Sequence, residues 1–182
     1  MAEHFNHLQH PAAPLAIRSR GFRALTSPAP VASYHAGPRC LSKLPPRIRH
    51  RALSRLVREL KEQYKISVRN WRRQMSGAAY ELQYADGRIK RLISAPRPRT
   101  PVSAAIFIHE VGHHAIGFNR YPSRCLEEYY VWQWTFREML ARHIPVTDRV
   151  LRHYHRSMQH YLRLARRKGE ELSAPLHELQ LA

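Results

Sequence analysis

The sequence predicts an α+β fold, with a small antiparallel sheet followed mainly by helices, over residues 47–168. Two observations indicate it. First, four segments have either apolar residues at helical spacing or helix-capping residues at their ends, which predicts four helices. Second, between the first and second of these segments, apolar residues alternate with polar ones on both sides of an Asp-Gly pair, which predicts strands. Hydrophobic residues make up 43% of the 182, enough for one core. We therefore expect one domain with a leader at 1–46 and a tail at 169–182.

The leader, residues 1–46, is rich in proline and has no sustained apolar period, so we interpret it as disordered. Arg18, Arg20 and Arg23 lie close together in a stretch without acidic residues, which is typical of organelle transit peptides. A basic low-complexity tail gives the same pattern and is the favoured interpretation. We expect a cytoplasmic protein, with organelle targeting left open.

The composition argues against two classes of protein, those that span a membrane and those held together by disulfide bonds. No apolar run approaches the roughly 18–20 residues that a membrane span requires, so we expect no membrane partner. Cys40 and Cys125 lie far apart in different kinds of segment, so the sequence predicts no disulfide framework and fits a reducing compartment.

The first predicted helix follows Pro46 and has about 17 residues, because apolar side chains recur every three or four positions. They are Ile48, Leu53, Leu56, Val57, Leu60 and Tyr64. Ile66 and Val68 then alternate as a short strand. Two further strands flank Asp86-Gly87, a strong hairpin signal because glycine tolerates positive φ. Their apolar residues are Tyr80, Leu82, Tyr84, Ile89, Leu92 and Ile93.

Three more helices follow the sheet. Thr100 as N-cap, Pro101 and Gly117 frame a helix over about 101–116. A second, rich in Tyr, Trp and Leu, runs from Ser123 to about residue 143 and is expected to be well buried. Thr147 caps a third, which Gly169 ends. Its predicted apolar stripe is Leu151, Tyr154, Met158, Tyr161 and Leu162, with Arg152, Arg156, Arg163 and Arg166 on the solvated side.

The motif with the clearest chemistry lies in the 101–116 helix, where residues 109–114 read His-Glu-Val-Gly-His-His. Four residues are just over one helical turn, so His109 and His113 converge on one face as ligands of a tetrahedral Zn²⁺. Glu110 lies about 100° around the helix, where it can act as general base without ligating the metal. Because the helix is the most apolar in the chain, we favour metal binding over a histidine cluster satisfied by hydrogen bonds. His114 points away from the pair and is expected outside the ligand set.

A catalytic zinc needs a third protein ligand. Glu127 and Glu128 on the next helix are the candidates, and only one can face the metal because adjacent helical residues diverge by about 100°. Glu138 and His143 are the next candidates for the third ligand. From the residues alone, the choice stays open.

The stretch from about Tyr64 to Pro145 resembles the compact zinc metallopeptidases of the ImmA/IrrE family, which are gluzincins. The approach Ile106-Phe107-Ile108 and the motif that follows it match that family's His-Glu-x-x-His helix. Glu128, followed by Val131, Trp134 and Thr135, matches the pattern of its downstream Glu-x-x-Ala-x-x-Phe-Ala, with larger residues at the Ala and Phe-Ala positions. The resemblance implies Glu128 as third ligand and Glu127 as the alternative.

The resemblance also implies a zincin-like fold and limited cleavage of a regulatory or DNA-bound protein, such as a helix-turn-helix regulator. The chain is similar as well to SprT-type zinc proteases, which take a third histidine as ligand, here His143 or His153. A zincin typically presents a Tyr or His donor to the oxyanion. Tyr121, Tyr129, Tyr130 and His155 are available as such donors. Our candidates for the oxyanion donor, or for a residue that contacts a metal ligand without binding the metal, are Tyr129, Tyr130 and His114.

Charge separates the chain into two parts. Residues 47–100 hold fifteen basic and four acidic residues, eleven of the eighteen net positive charges, whereas 101–146 are neutral. Arginine binds phosphate and an exposed Trp stacks on bases, so this basic segment is a candidate non-specific nucleic-acid contact. Its candidate residues are Arg69, Trp71, Arg72 and Arg73. The alternative function is therefore a non-catalytic nucleic-acid-binding or partner-binding protein with a structural metal site.

Overall fold

A computed structural model of the chain describes residues 44–181, and nearly all of the predicted leader lies outside this range. The described elements are α1 (Pro46–Tyr64), β1 (Ile66–Arg72), β2 (Ala78–Gln83), β3 (Ile89–Pro96), α2 (Pro101–Ile116), α3 (Arg124–Ala141), α4 (Asp148–Arg167) and α5 (Ala174–Leu181). The predicted α+β class is confirmed. Among the helices of this range, none is both long and apolar enough to cross a membrane.

The three strands form one sheet in the order β1-β3-β2. The predicted hairpin is confirmed: β2 and β3 are antiparallel and turn at Asp86-Gly87, where Gly87 has φ 80°. β1 pairs parallel to β3, so the sheet is mixed rather than wholly antiparallel. The reason is that residues 73–77 carry the chain from one outer strand to the other, which leaves the middle position to β3. β2 is thus an edge strand.

Helix α2 lies at the centre of the molecule, and thirteen of its sixteen residues are buried. It packs against β3, α3 and α4. The predicted cap is present: the Ser103 amide donates to the Thr100 hydroxyl oxygen, and the Thr100 amide donates to Ser103 Oγ. Gly117, with φ 85°, follows the last turn. The central position explains why this segment is the most apolar of the chain.

The other helices cover this centre and differ from prediction in detail. In α1, Leu53, Leu56 and Leu60 are buried, but Ile48 is 50% exposed because the first turn lies outside the core. The residues that α4 buries are Val150, Tyr154, Met158, Leu162 and Ala165, so Leu151 and Tyr161 lie at the margin of its stripe. The segment predicted as a tail contains α5, whose Leu176 is fully buried.

Candidate metal centre

The two predicted histidine ligands lie one above the other on α2. The ring centroids of His109 and His113 are 5.0 Å apart, and both side chains are buried. Burial lowers the pKa of His113, the larger effect, although the carboxylate of Glu127 opposes it. The imidazole is therefore neutral near pH 7, which is the form that ligates metals.

Helix α3 brings Glu128 to this pair. Its Oε2 atom lies 3.1 Å from His109 Nε2, and its Oε1 atom lies 3.5 Å from His113 Nε2. Ligand atoms about 2.0–2.1 Å from a tetrahedral ion are about 3.3 Å from one another, and each of the two histidines has one Glu128 oxygen near that separation. His109, His113 and Glu128 thus form a buried group that could hold a metal ion, and we call these three residues the metal group.

Glu127 takes a different position. Its Oε1 atom lies 3.4 Å from His113 Nδ1, on the side of the ring away from Glu128, and its Oε2 atom accepts a hydrogen bond of 2.9 Å from the Asn119 amide. A carboxylate behind a ligating histidine fixes the ring orientation and raises its basicity. Of the two adjacent glutamates, Glu128 is therefore the one that faces both histidines, and Glu127 lies behind one of them.

Gly112 allows α3 to approach α2 this closely. A Cβ atom at Gly112 would lie 2.9 Å from Trp134 Cε3 and 2.9 Å from Val131 Cγ1. Val131 is three and Trp134 six positions after Glu128, so this contact determines how near Glu128 comes to the two histidines. The glycine inside the motif is therefore explained by helix packing.

Gly112→Ala is expected to destabilise the protein, although alanine favours helices by about 1 kcal/mol over glycine. Overpacking costs about 1–3 kcal/mol, so we expect a net loss of about 1 kcal/mol in the free energy of unfolding and weaker metal binding. Urea unfolding and a zinc titration measure the two effects. Equal or greater stability together with unchanged zinc affinity would contradict this account of the contact.

Glu110 lies beside the metal group but outside it. Its side chain is 6% exposed and lines the same cleft. Burial, the largest cause, raises the pKa of Glu110 to about 7 despite the opposing charges of His109, Arg124 and Arg72. Gly77 packs directly against the Glu110 carboxylate, and a Cβ there would overlap Oε1.

The two carboxylates of the site therefore differ in character. Burial by itself raises the pKa of Glu128, but its hydrogen bond to His109 and the nearby positive charge, that of Arg124 included, outweigh that effect and lower the pKa to about 2. Glu128 is thus ionised and suited to ligate a metal, while Glu110 can exchange a proton near neutral pH. Opposed environments of this kind assign different roles to two neighbouring acids.

A cleft of about 530 Å³ opens onto both groups. One wall is the segment Met75–Ala79, which leads into edge strand β2. The opposite wall is α4, which contributes His153, Arg156, Ser157, His160, Tyr161 and Arg163. The site is therefore a concave surface large enough for several residues of a chain.

Comparisons with known protein families, curated proteins and solved structures find no match to this chain. The resemblance to ImmA/IrrE peptidases therefore stays a prediction.

The remaining residues predicted as ligands or as their neighbours lie outside the metal group. His114 turns away, and its Nε2 lies 3.1 Å from the carbonyl oxygen of Leu92 on β3. Glu138 pairs with Arg142 at 3.1 Å, near the far end of α3, and His143 follows that helix with φ 55°. His153 lines the cleft but does not belong to the group formed with Glu128.

None of the three tyrosines predicted as possible oxyanion donors, Tyr121, Tyr129 and Tyr130, lines the cleft. Tyr129 is 5% exposed, and Tyr130 stacks on Tyr121 with ring centroids 4.6 Å apart. His155 is likewise not among the lining residues. The cleft is instead lined by Tyr161, which the sequence pattern placed in the apolar stripe of its helix.

Two cleft residues were missed by sequence reasoning. Burial, and then the charge of Glu128, raise the pKa of Tyr161 to about 12, so its hydroxyl is a stable hydrogen-bond donor. Arg124 contacts Glu127, and its Nη2 lies 2.7 Å from Glu128 Oε1. Arg124 precedes the two glutamates by one helical turn, a spacing that could have signalled it. Nothing in the sequence distinguishes Tyr161 from a core residue.

The candidate nucleic-acid residues lie on β1 and just after it. Trp71 stacks on Phe107 with centroids 6.0 Å apart, and Arg97 lies 4.9 Å from its ring. Its ring is half-buried, and it contacts these two side chains. Arg72 donates to Ser76 Oγ at 3.1 Å, and Arg69 lies over the ring of Tyr80. Arg73 is exposed.

Proposed function

We propose that the chain is a zinc-dependent endopeptidase in which His109, His113 and Glu128 hold the metal and Glu110 transfers protons. One observation carries the proposal. The buried carboxylate of Glu110 lines the same cleft as a buried His-His-Glu group whose ligand atoms all lie within 4.8 Å of one another.

Zinc suits this donor set because two imidazoles and one carboxylate leave a fourth position for a reactant. When bound, it supplies a Lewis acid that polarises a carbonyl and acidifies water. The residues of the chain supply proton transfer and orientation. Glu110 would accept a proton from the attacking water at its carboxylate and return a proton to the leaving amine nitrogen.

Three other side chains support the reaction. Tyr161 would donate a hydrogen bond from its hydroxyl to the carbonyl oxygen of the scissile peptide as negative charge develops there. Glu127 would hold His113 in its orientation through Nδ1. Arg124, paired with both glutamates, would keep them ionised in the buried site.

A peptide substrate is favoured by the edge strand. The first residues of β2 line the cleft, and β2 pairs only with β3 in the described sheet. An extended peptide can add to such an edge through main-chain hydrogen bonds, which would place a scissile carbonyl beside the metal group. Limited cleavage of a regulatory or DNA-bound protein, as in the resembling family, would fit this arrangement.

Metal analysis and a cleavage assay test the proposal together. The full-length protein is expected to bind about one zinc ion and to cleave peptides from a quenched fluorescent library of decapeptides, with activity lost on chelation and restored by zinc. The double variant His109→Ala/His113→Ala should lose both properties. Tightly bound zinc without cleavage of any library peptide would contradict the peptidase and favour a structural metal site.

A further inference from the structure

Helix α4 presents a row of arginines along the proposed catalytic cleft. Arg149, Arg152, Arg156 and Arg163 are exposed and lie at spacings of three, four and seven residues, so they share one face of the helix. We call these four residues the basic ridge. Among the side chains that the structure describes, which exclude those of residues 178 and 180–182, no acidic one forms an ion pair with any of them.

The ridge continues into a second cavity of about 670 Å³. Arg149 and Arg152 line that cavity, Arg163 lines the catalytic cleft, and Arg156 lines both. Met75 and His153 also line both cavities, so the two cavities are neighbours along α4, and we call them together the groove. The second cavity has no acidic residue in its lining.

The length of the ridge matches a short extended peptide. Arg149 and Arg163 are fourteen positions apart on the helix, which is about 21 Å, or about six residues of an extended chain. Arginine forks bind carboxylates in two-point geometry, and the ridge offers four of them without competing partners. The groove therefore complements a peptide with several acidic side chains.

We infer that the ridge selects acidic peptide segments, with Asp or Glu residues on the side of the scissile bond that enters the second cavity. This inference rests on the proposed peptidase function for the scissile bond, but the binding itself does not require zinc. The ridge would fix the register of the peptide so that one bond lies beside Glu110.

A nucleic acid is less well accommodated. Single strands are held by stacking on exposed aromatic rings, and the two large aromatic residues of the cleft do not offer them: Trp132 is 1% exposed, and Tyr161 is half-buried beside Glu128.

The test is binding of a fluorescently labelled decapeptide containing four Asp or Glu residues, compared with the same peptide in which Asn and Gln replace them. Anisotropy is measured on the metal-free full-length protein at low salt. Arg149→Gln/Arg152→Gln is expected to bind the acidic peptide about tenfold more weakly, with little change for the neutral one. The matched control Arg166→Gln/Arg167→Gln removes two exposed charges from the same helix outside the groove and should change neither.

The outcomes separate this inference from the proposed function. Equal weakening by both double variants would overturn the ridge and indicate a general charge effect. Tighter binding of a single-stranded oligonucleotide, lost only in Arg149→Gln/Arg152→Gln, would overturn it in favour of nucleic acid. Cleavage of neutral peptides without acidic preference would overturn the ridge and leave the peptidase standing. Zinc-independent selective binding without cleavage would support the ridge and contradict the peptidase.

Discussion

Glu110→Gln is expected to lower kcat/KM for peptide cleavage by about 10²–10⁴-fold while about one zinc ion per chain stays bound. The amide has the same shape as the carboxylate but cannot accept and return a proton. Because Glu110 is not part of the His109, His113 and Glu128 group, metal affinity should change little. Cleavage assays on zinc-loaded protein and metal analysis measure the two properties.

Glu138→Gln is the matched control for that variant. Glu138 pairs with Arg142 outside the cleft, so the same chemical change there should leave activity within about twofold of the wild type. Near wild-type activity of Glu110→Gln would exclude the proposed role.

Gly77→Ala tests the role of Glu110 without changing Glu110 itself, because the added methyl group would displace the Glu110 carboxylate. We expect this variant to lose most of its cleavage activity while it retains zinc.

Glu128→Gln is expected to weaken zinc binding much more than Glu127→Gln. Loss of a partner behind a ligating histidine costs about 10–100-fold in affinity, so Glu127→Gln should fall in that range. Glu128→Gln removes a charged ligand from the group itself and should exceed it. Competition titrations with a chromophoric chelator measure both affinities.

Both variants also remove a charged partner of Arg124, so thermal unfolding of the metal-free proteins is the control for general destabilisation. The reverse order of affinities would assign Glu127 as ligand. Unchanged zinc binding in Glu128→Gln, with loss in His153→Asn, would instead favour the three-histidine site of SprT-type proteases.

Several parts of the fold follow from local rules. The Asp86-Gly87 turn, the Thr100 cap and the helix over 101–116 agree with the structure because each depends on residues within a few positions of one another. The mixed sheet and α5 were not predicted. Strand order depends on which edge the chain reaches after residues 73–77, and α5 is a short helix of which Leu176 is buried in the core.

The candidate metal centre likewise has features that local rules predict and features that only the packing of helices decides. The helical repeat predicts that His109 and His113 share one face, because four residues make just over one turn. It also predicts that only one of Glu127 and Glu128 can face them. Which one does depends on how α3 packs on α2 at Gly112, a contact between segments about twenty residues apart.

The amino-acid sequence by itself determines the His-Glu-x-x-His motif, the apolar helix that carries it and the basic character of the chain, since composition and periodicity within one element set them. The position of Glu128, the proximity of Gly77 to Glu110, and the placement of Tyr161 and the basic ridge along the cleft emerge only when the elements pack together. A helix fixes the angles between its own residues, whereas close packing between elements determines which faces meet.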